Sequence, residues 1–138
     1  MNSEIKLVAV DIDGTFVRGD YSYDEERFRR IFSRMQRAGC RFVAASGNQY
    51  YQLRDLFPEF CDEISYVAEN GAFVKDRTEL VFAADMPRET VHGVIDLCRK
   101  YTEINNVLCG RNSDYCLRGT VSEEFFALTS VSYHRLKW

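Results

Sequence analysis

Apolar residues fall along the first half of the chain in blocks whose spacing switches between strand and helix periods. Lys6–Val10 (KLVAV) is a β-branched apolar run, the composition of a strand buried on both faces of a parallel sheet. Phe28, Ile31, Phe32 and Met35 then recur at i, i+3, i+4 and i+7, a helix with one face against that sheet. Ser22 and Glu25 stand ahead of it at capping-box spacing, and Gly39 occupies the expected C′ position. Arg41–Ala45 (RFVAA) is a second buried strand, and the βαβ spacing predicts a right-handed crossover to parallel pairing. A helix starting near Asn48 buries Leu53, Leu56 and Phe57 and stops at Pro58. Ile64–Ala68 is a third strand, Glu69-Asn70-Gly71 a turn, and Ala72–Lys75 with Leu80–Phe82 a β-hairpin around the polar link Asp76–Glu79.

A domain boundary is expected at Ala83–Pro87, dividing the chain into residues 1–84 and 85–138, with Pro87 in the first turn of a new helix. Val91, Val94, Ile95 and Cys98 line that helix. Asn105–Cys109 and Tyr115–Arg118 predict strands around a Gly110–Asp114 turn, and Ser122–Thr129 predicts a last helix with Glu123 and Glu124 in its first turn.

Composition narrows the function classes. At 138 residues and 46% hydrophobic the chain can bury one sizeable core, and a net charge of −3 gives no general field for nucleic acid. The arginines at 27, 29, 30, 34 and 37 sit beside Glu25 and Glu26, the pattern of a solvated helix face. No apolar run approaches the length of a membrane span. Neither nucleic acid nor a membrane is therefore an expected partner. Five cysteines without metal-ligand spacing or a signal-peptide pattern predict reduced thiols in a cytoplasmic protein. His92 and His134 share no motif and are expected at the surface or in packing.

Chemistry concentrates where the first strand ends. Asp11 and Asp13 leave the strand in a turn closed by Gly14 and Thr15, and ligands of open α/β sheets bind at the carboxyl ends of strands. A carboxylate can attack phosphorus to form an aspartyl-phosphate, and Asp11, first off the strand, suits that role. Asp13 can serve as general acid and then general base. An anionic nucleophile meeting an anionic ester needs a cation, which makes Mg²⁺ the expected cofactor, with Asp11 and Asp13 as its ligands. Gly14 permits an unusual dihedral or a close approach to phosphate. Four fixed residues recur by chance at roughly one position in 10⁵. An Asx-type turn ending a strand remains the alternative. An EF-hand is excluded, because its glycine falls at the sixth position and its glutamate at the twelfth, where this chain has Ser22. The second strand ends similarly, in Ser46-Gly47-Asn48, a hydroxyl and a glycine-freed backbone before a helix. That arrangement suits either a phosphate cradle or a plain helix cap.

KLVAVDIDGTF resembles the first motif of the haloacid dehalogenase superfamily, and AASGNQYYQL and SYVAENGAFV resemble its Cof-type sugar phosphatases. The final SYHRLKW resembles a segment of that branch's cap, so the likeness covers this whole chain but only the first half of such a protein. It implies an α/β fold: a partial Rossmann-like parallel sheet, then the first half of an α+β cap. It also implies that Ser46 hydrogen-bonds the transferring phosphoryl, that Gly47 and Asn48 of the same loop are phosphate-binding with it, and that the ENGA turn lies at the rim. The substrate implied is a small phosphorylated sugar.

Two further motifs of the superfamily, a lysine and an acidic Mg²⁺-binding loop, have no counterpart in matching context, and later core strands are expected beside the first strand. These residues alone are therefore expected to hydrolyse esters poorly, with a complementary C-terminal fragment or a second copy completing the fold. The alternatives are a catalytically inactive phosphate-binding or regulatory remnant, a phosphomutase using the same opening motif, and a DxD glycosyltransferase.

Overall fold

The computed structural model describes residues 5–101, 103–119, 121–130 and 136–137. The chain separates into two compact units, Met1–Ala84 and Asp85–Trp138.

The first unit is built on a five-stranded sheet in the order β1-β2-β3-β4-β5. Its strands are β1 (Leu7–Asp11), β2 (Arg41–Ala45), β3 (Ser65–Ala68), β4 (Phe73–Asp76) and β5 (Glu79–Ala83). The first three run parallel, and β4 and β5 extend the sheet as an antiparallel hairpin. Helices α1 (Glu25–Arg37) and α2 (Tyr50–Asp55) connect the parallel strands, giving the expected α/β architecture. Only Arg77 and Thr78 join the hairpin, a shorter link than expected, because both strands run further than their apolar residues.

Burial on both faces fails for β1. Its residues alternate between exposed and half-buried, and Leu7 is 52% exposed. The cause is topological: β1 is the edge of the sheet and pairs only with β2 among the described residues. Ile31, expected in the core, is 44% exposed for a related reason. With Val10, Phe16 and Phe28 it lines an open groove of about 340 Å³.

Helix α1 starts later than its capping-box spacing suggests. Asp24 is the N-cap and accepts the Arg27 N–H at 2.8 Å, while the Ser22 hydroxyl is taken by Asp20 at 2.6 Å. The helix ends in a Schellman motif: Gly39, at φ +66°, donates to Gln36 O and Cys40 to Met35 O. Phe28 and Phe32 carry its buried face into a cluster of rings with Phe16, Tyr23, Phe42, Phe57 and Phe60, whose centroids lie 4.9–6.4 Å apart. Each such pair adds about 1 kcal/mol beyond area burial. Tyr66 is wholly buried and donates to Cys61 O at 3.1 Å, and burial holds its hydroxyl far above the ordinary tyrosine range.

In the second unit, α3 (Arg88–Cys98) takes Pro87 as its N-cap residue instead of holding it in the first turn. Strands β6 (Leu108–Cys109) and β7 (Asp114–Tyr115) pair antiparallel but are only two residues long, much shorter than expected. Helix α4 (Glu123–Thr129) is capped by Ser122, whose hydroxyl accepts the Phe125 N–H at 3.0 Å. Cys116 is buried, and burial pushes its thiol up. Of the SYHRLKW segment only residues 136–137 are described, and His134 lies outside the described residues. None of the five cysteines is in a disulfide. No helix among the described residues is long and apolar enough to cross a membrane.

Candidate active site

Parallel pairing in register sets the ends of β1 and β2 side by side. Asp11 stands opposite Ala45, and the Ile12 N–H extends the ladder by one bond to Ala45 O at 3.1 Å. The chain then turns tightly, with Phe16 donating to Asp11 O and to Ile12 O and Val17 also donating to Ile12 O. Ile12 is wholly buried between two exposed acids, so it anchors the loop while Asp11 and Asp13 face outward. Gly14 has φ +71° with open space where a Cβ would stand, so its glycine serves the dihedral.

The second loop closes against the first. Ser46, 8% exposed, donates its hydroxyl to Asp13 Oδ2 at 2.7 Å. Asn48 donates Nδ2 to Asp13 Oδ1 at 3.2 Å and Oδ2 at 3.0 Å, and its backbone N–H donates to Ser46 Oγ at 3.0 Å. Among the expected site residues the structure thus joins Asp13, Ser46 and Asn48 directly. It is Asp13 that bonds to Ser46. The Asp11 carboxylate is exposed and has no hydrogen bond or ion pair among the described residues.

Neither Ser46 nor Asn48 caps α2. Gln49 is its N-cap and the helix starts at Tyr50, two residues past the expected point. That difference disfavours the plain capping role and leaves both side chains to the loop. The third strand's turn braces the loop from behind, since Glu69 N–H donates to Asn48 O at 3.0 Å and Asn70 N–H to Ser46 O at 3.4 Å. Glu69, Asn70 and Gly71 all have positive φ, a strained run that persists only where surroundings hold it. A Cβ on Gly47 would lie 2.8 Å from Asn70 Oδ1, so position 47 admits only glycine unless Asn70 moves.

The donor set at this tip fits a hard dication. Asp11 offers an uncommitted carboxylate, and Asp13, its own carboxylate taken up by Ser46 and Asn48, offers a backbone carbonyl. Mg²⁺ is bound by few protein oxygens and keeps several waters, which suits so sparse a set. One residue escaped the sequence reading. Gln49 is 6% exposed, and neither side-chain amide atom has a hydrogen-bond partner among the described residues. No spacing or motif marks it.

The parallel strand tips, with an acid pair on one and a serine loop on the next, stand within residues 8–135, which match the family model of haloacid dehalogenase-like hydrolases. The chain belongs to that family. It is 40% identical over 134 residues to the 5-amino-6-(5-phospho-D-ribitylamino)uracil phosphatase YbjI of Escherichia coli (strain K12), covering 97% of this chain and 49% of that protein. A phosphoglycolate phosphatase of Metallosphaera sedula is 40% identical over 72 residues, 51% of this chain and 32% of its own. Among solved structures, SMU.1108c from Streptococcus mutans UA159 superposes with a TM-score of 0.83 at 34% identity, over 96% of this chain and 50% of that one. The chain spans at most about half the length of the curated relatives it matches.

Proposed function

We propose that this chain carries the nucleophile half of a Mg²⁺-dependent phosphatase acting on small phosphorylated sugars and polyols in the cytoplasm. The observation that carries the reading is the meeting of two strand tips, where Asp13 and Ser46, 33 residues apart in sequence, bond beside an uncommitted Asp11. Asp11 attacks phosphorus, the bond to the leaving oxygen breaks, and Asp13 supplies the proton that oxygen takes up. Water then loses a proton to Asp13 and attacks the aspartyl-phosphate, releasing phosphate and restoring Asp11. Ser46 turns its hydroxyl to the phosphoryl group, and the Gly47 N–H, which has no partner among the described residues, donates to it as well. Gly14 shapes the loop around the same group. The Asp11 carboxylate and the Asp13 carbonyl would hold Mg²⁺, which would supply charge neutralisation there. The relative named for a phosphoribitylamino compound supports a phosphorylated polyol as substrate class, and five cysteines outside any disulfide suit a reducing compartment.

A second reading is favoured by the open edge of β1. There the chain binds phosphate without turnover until a complementary C-terminal segment or a second copy pairs with that edge. Peptide mapping after acid quench with a phosphorylated polyol and Mg²⁺ tests the first reading: label on Asp11 that is lost with Asp11→Asn and on chelation supports it. Mg²⁺-dependent binding of orthophosphate without label or product selects the second. Neither binding nor label sinks both.

A further inference from the structure

We infer that Asn48 is a positioning residue for Asp13, not a ligand of the phosphoryl group; this deepens the hydrolysis reading and rests on it. The side-chain nitrogen, backbone N–H and carbonyl of Asn48 are each held by protein partners, and its remaining polar atom, Oδ1, only accepts and so offers no hydrogen to a phosphoryl oxygen. Its amide nitrogen spans both Asp13 oxygens at 3.2 and 3.0 Å, its N–H holds Ser46 Oγ at 3.0 Å, and its carbonyl is held by the Glu69 N–H at 3.0 Å.

The routing of protons follows from these bonds. Ser46 Oγ accepts from Asn48 and has one hydrogen of its own, which goes to Asp13 Oδ2 at 2.7 Å. Asp13, Ser46 and Asn48 therefore form a closed ring. When a phosphoryl group draws the serine hydroxyl away, only Asn48 still holds the Asp13 carboxyl in place. An exposed side chain on a turn loses its orientation easily, and a misplacement of about 1 Å can cost 10²-fold in rate. An amide suits the task because it grips both oxygens through one nitrogen without bringing a charge.

The consequence is selective. Orientation of a proton donor matters when the leaving oxygen is a poor one, as in a sugar or polyol phosphate. It matters little when the leaving group is a nitrophenolate, which departs without a proton. Asn48→Ala should thus lower kcat on polyol phosphates about 10-fold or more with KM little changed, and change nitrophenyl phosphate hydrolysis less than about twofold.

The contact itself is tested without turnover, on the full chain labelled with ¹⁵N. The side-chain amide pair that disappears in Asn48→Ala identifies the resonance. It should move by several linewidths in Asp13→Ala, and in that variant it should no longer respond when orthophosphate and Mg²⁺ are added to saturation. A pair that ignores Asp13→Ala, or that still follows orthophosphate once Asp13 is removed, overturns the assignment, as does an equal loss on both leaving groups. Absence of any turnover, or turnover that survives Asp11→Asn, defeats the hydrolysis reading and leaves the Asn48–Asp13 contact to be judged on the resonance alone.

Discussion

Ser46 Oγ lies 2.7 Å from Asp13 Oδ2, so the hydroxyl expected to meet a phosphoryl group is bonded to the acid of the neighbouring strand tip. The side-chain amide of Asn48 ties the same two loops together through the same acid. A double-mutant cycle of Ser46→Ala and Asp13→Ala, read by urea unfolding, should give a coupling of about 1 kcal/mol. Asp13 is exposed, which keeps the value at the low end for a hydrogen bond to a charge. Coupling indistinguishable from zero would mean the bond does not persist in solution.

Position 47 is gauged by its neighbour. Gly47→Ala places a methyl against Asn70 Oδ1 and should cost about 1–2 kcal/mol of stability. Asn70→Gly removes the obstructing side chain and suits the positive φ at that site, so the double variant should recover most of the loss. Thermal unfolding of the four proteins checks this, and no recovery refutes it.

Gln49 buries an amide whose nitrogen and oxygen both lack partners among the described residues. Replacing it with Met keeps the volume and removes the desolvated polar atoms, so Gln49→Met should raise stability by about 1 kcal/mol. A lower melting temperature for Gln49→Met would contradict that.

Acid should weaken the far end of the sheet in a defined way. The Ser65 hydroxyl, at 2.7 Å, and the Arg41 guanidinium, at 2.6 Å, hold the Asp76 carboxyl below its ordinary value of 3.8. Its folded pKa is depressed, so its stabilising contribution is fully present above that value and is lost as pH falls through the folded pKa. The stability difference between the native chain and Asp76→Asn should be constant near neutrality and shrink below about pH 4. A difference that widens on acidification reverses the sign and rejects the account.

Much of this arrangement was legible in the residues. The βαβ frame follows from two apolar runs separated by an amphipathic helix, and the acids and the serine fall at strand ends because polar turns must follow buried strands. What was not legible is decided by competition between neighbours. Ser22 and Asp24 can both cap a helix, and Asp20 removes Ser22 from the contest. The apolar composition of β1 promised burial, yet burial depends on what pairs with its outer flank. The same limit hid the routing of Ser46 and Asn48 onto Asp13. Spacing puts the two loops side by side but cannot say which of two acids a hydroxyl selects. In the second unit, pairing runs up to the expected turn but only two residues away from it, because Cys116 N–H donates to Lys137 O and Lys137 N–H to Asp114 O, a partner far along the chain.

Phe16 follows the acids by only a few positions and packs at tilted or edge-to-face angles against Tyr23, Phe28, Phe42 and Phe57 at centroid distances of 5.0–5.8 Å. The acid-bearing loop is thereby part of the hydrophobic nucleus, and the two must order in the same cooperative step. A collapsed chain whose rings have not yet locked would leave the acid-bearing loop without its anchor, so Asp11 and Asp13 take up their places only with the native packing of the rings.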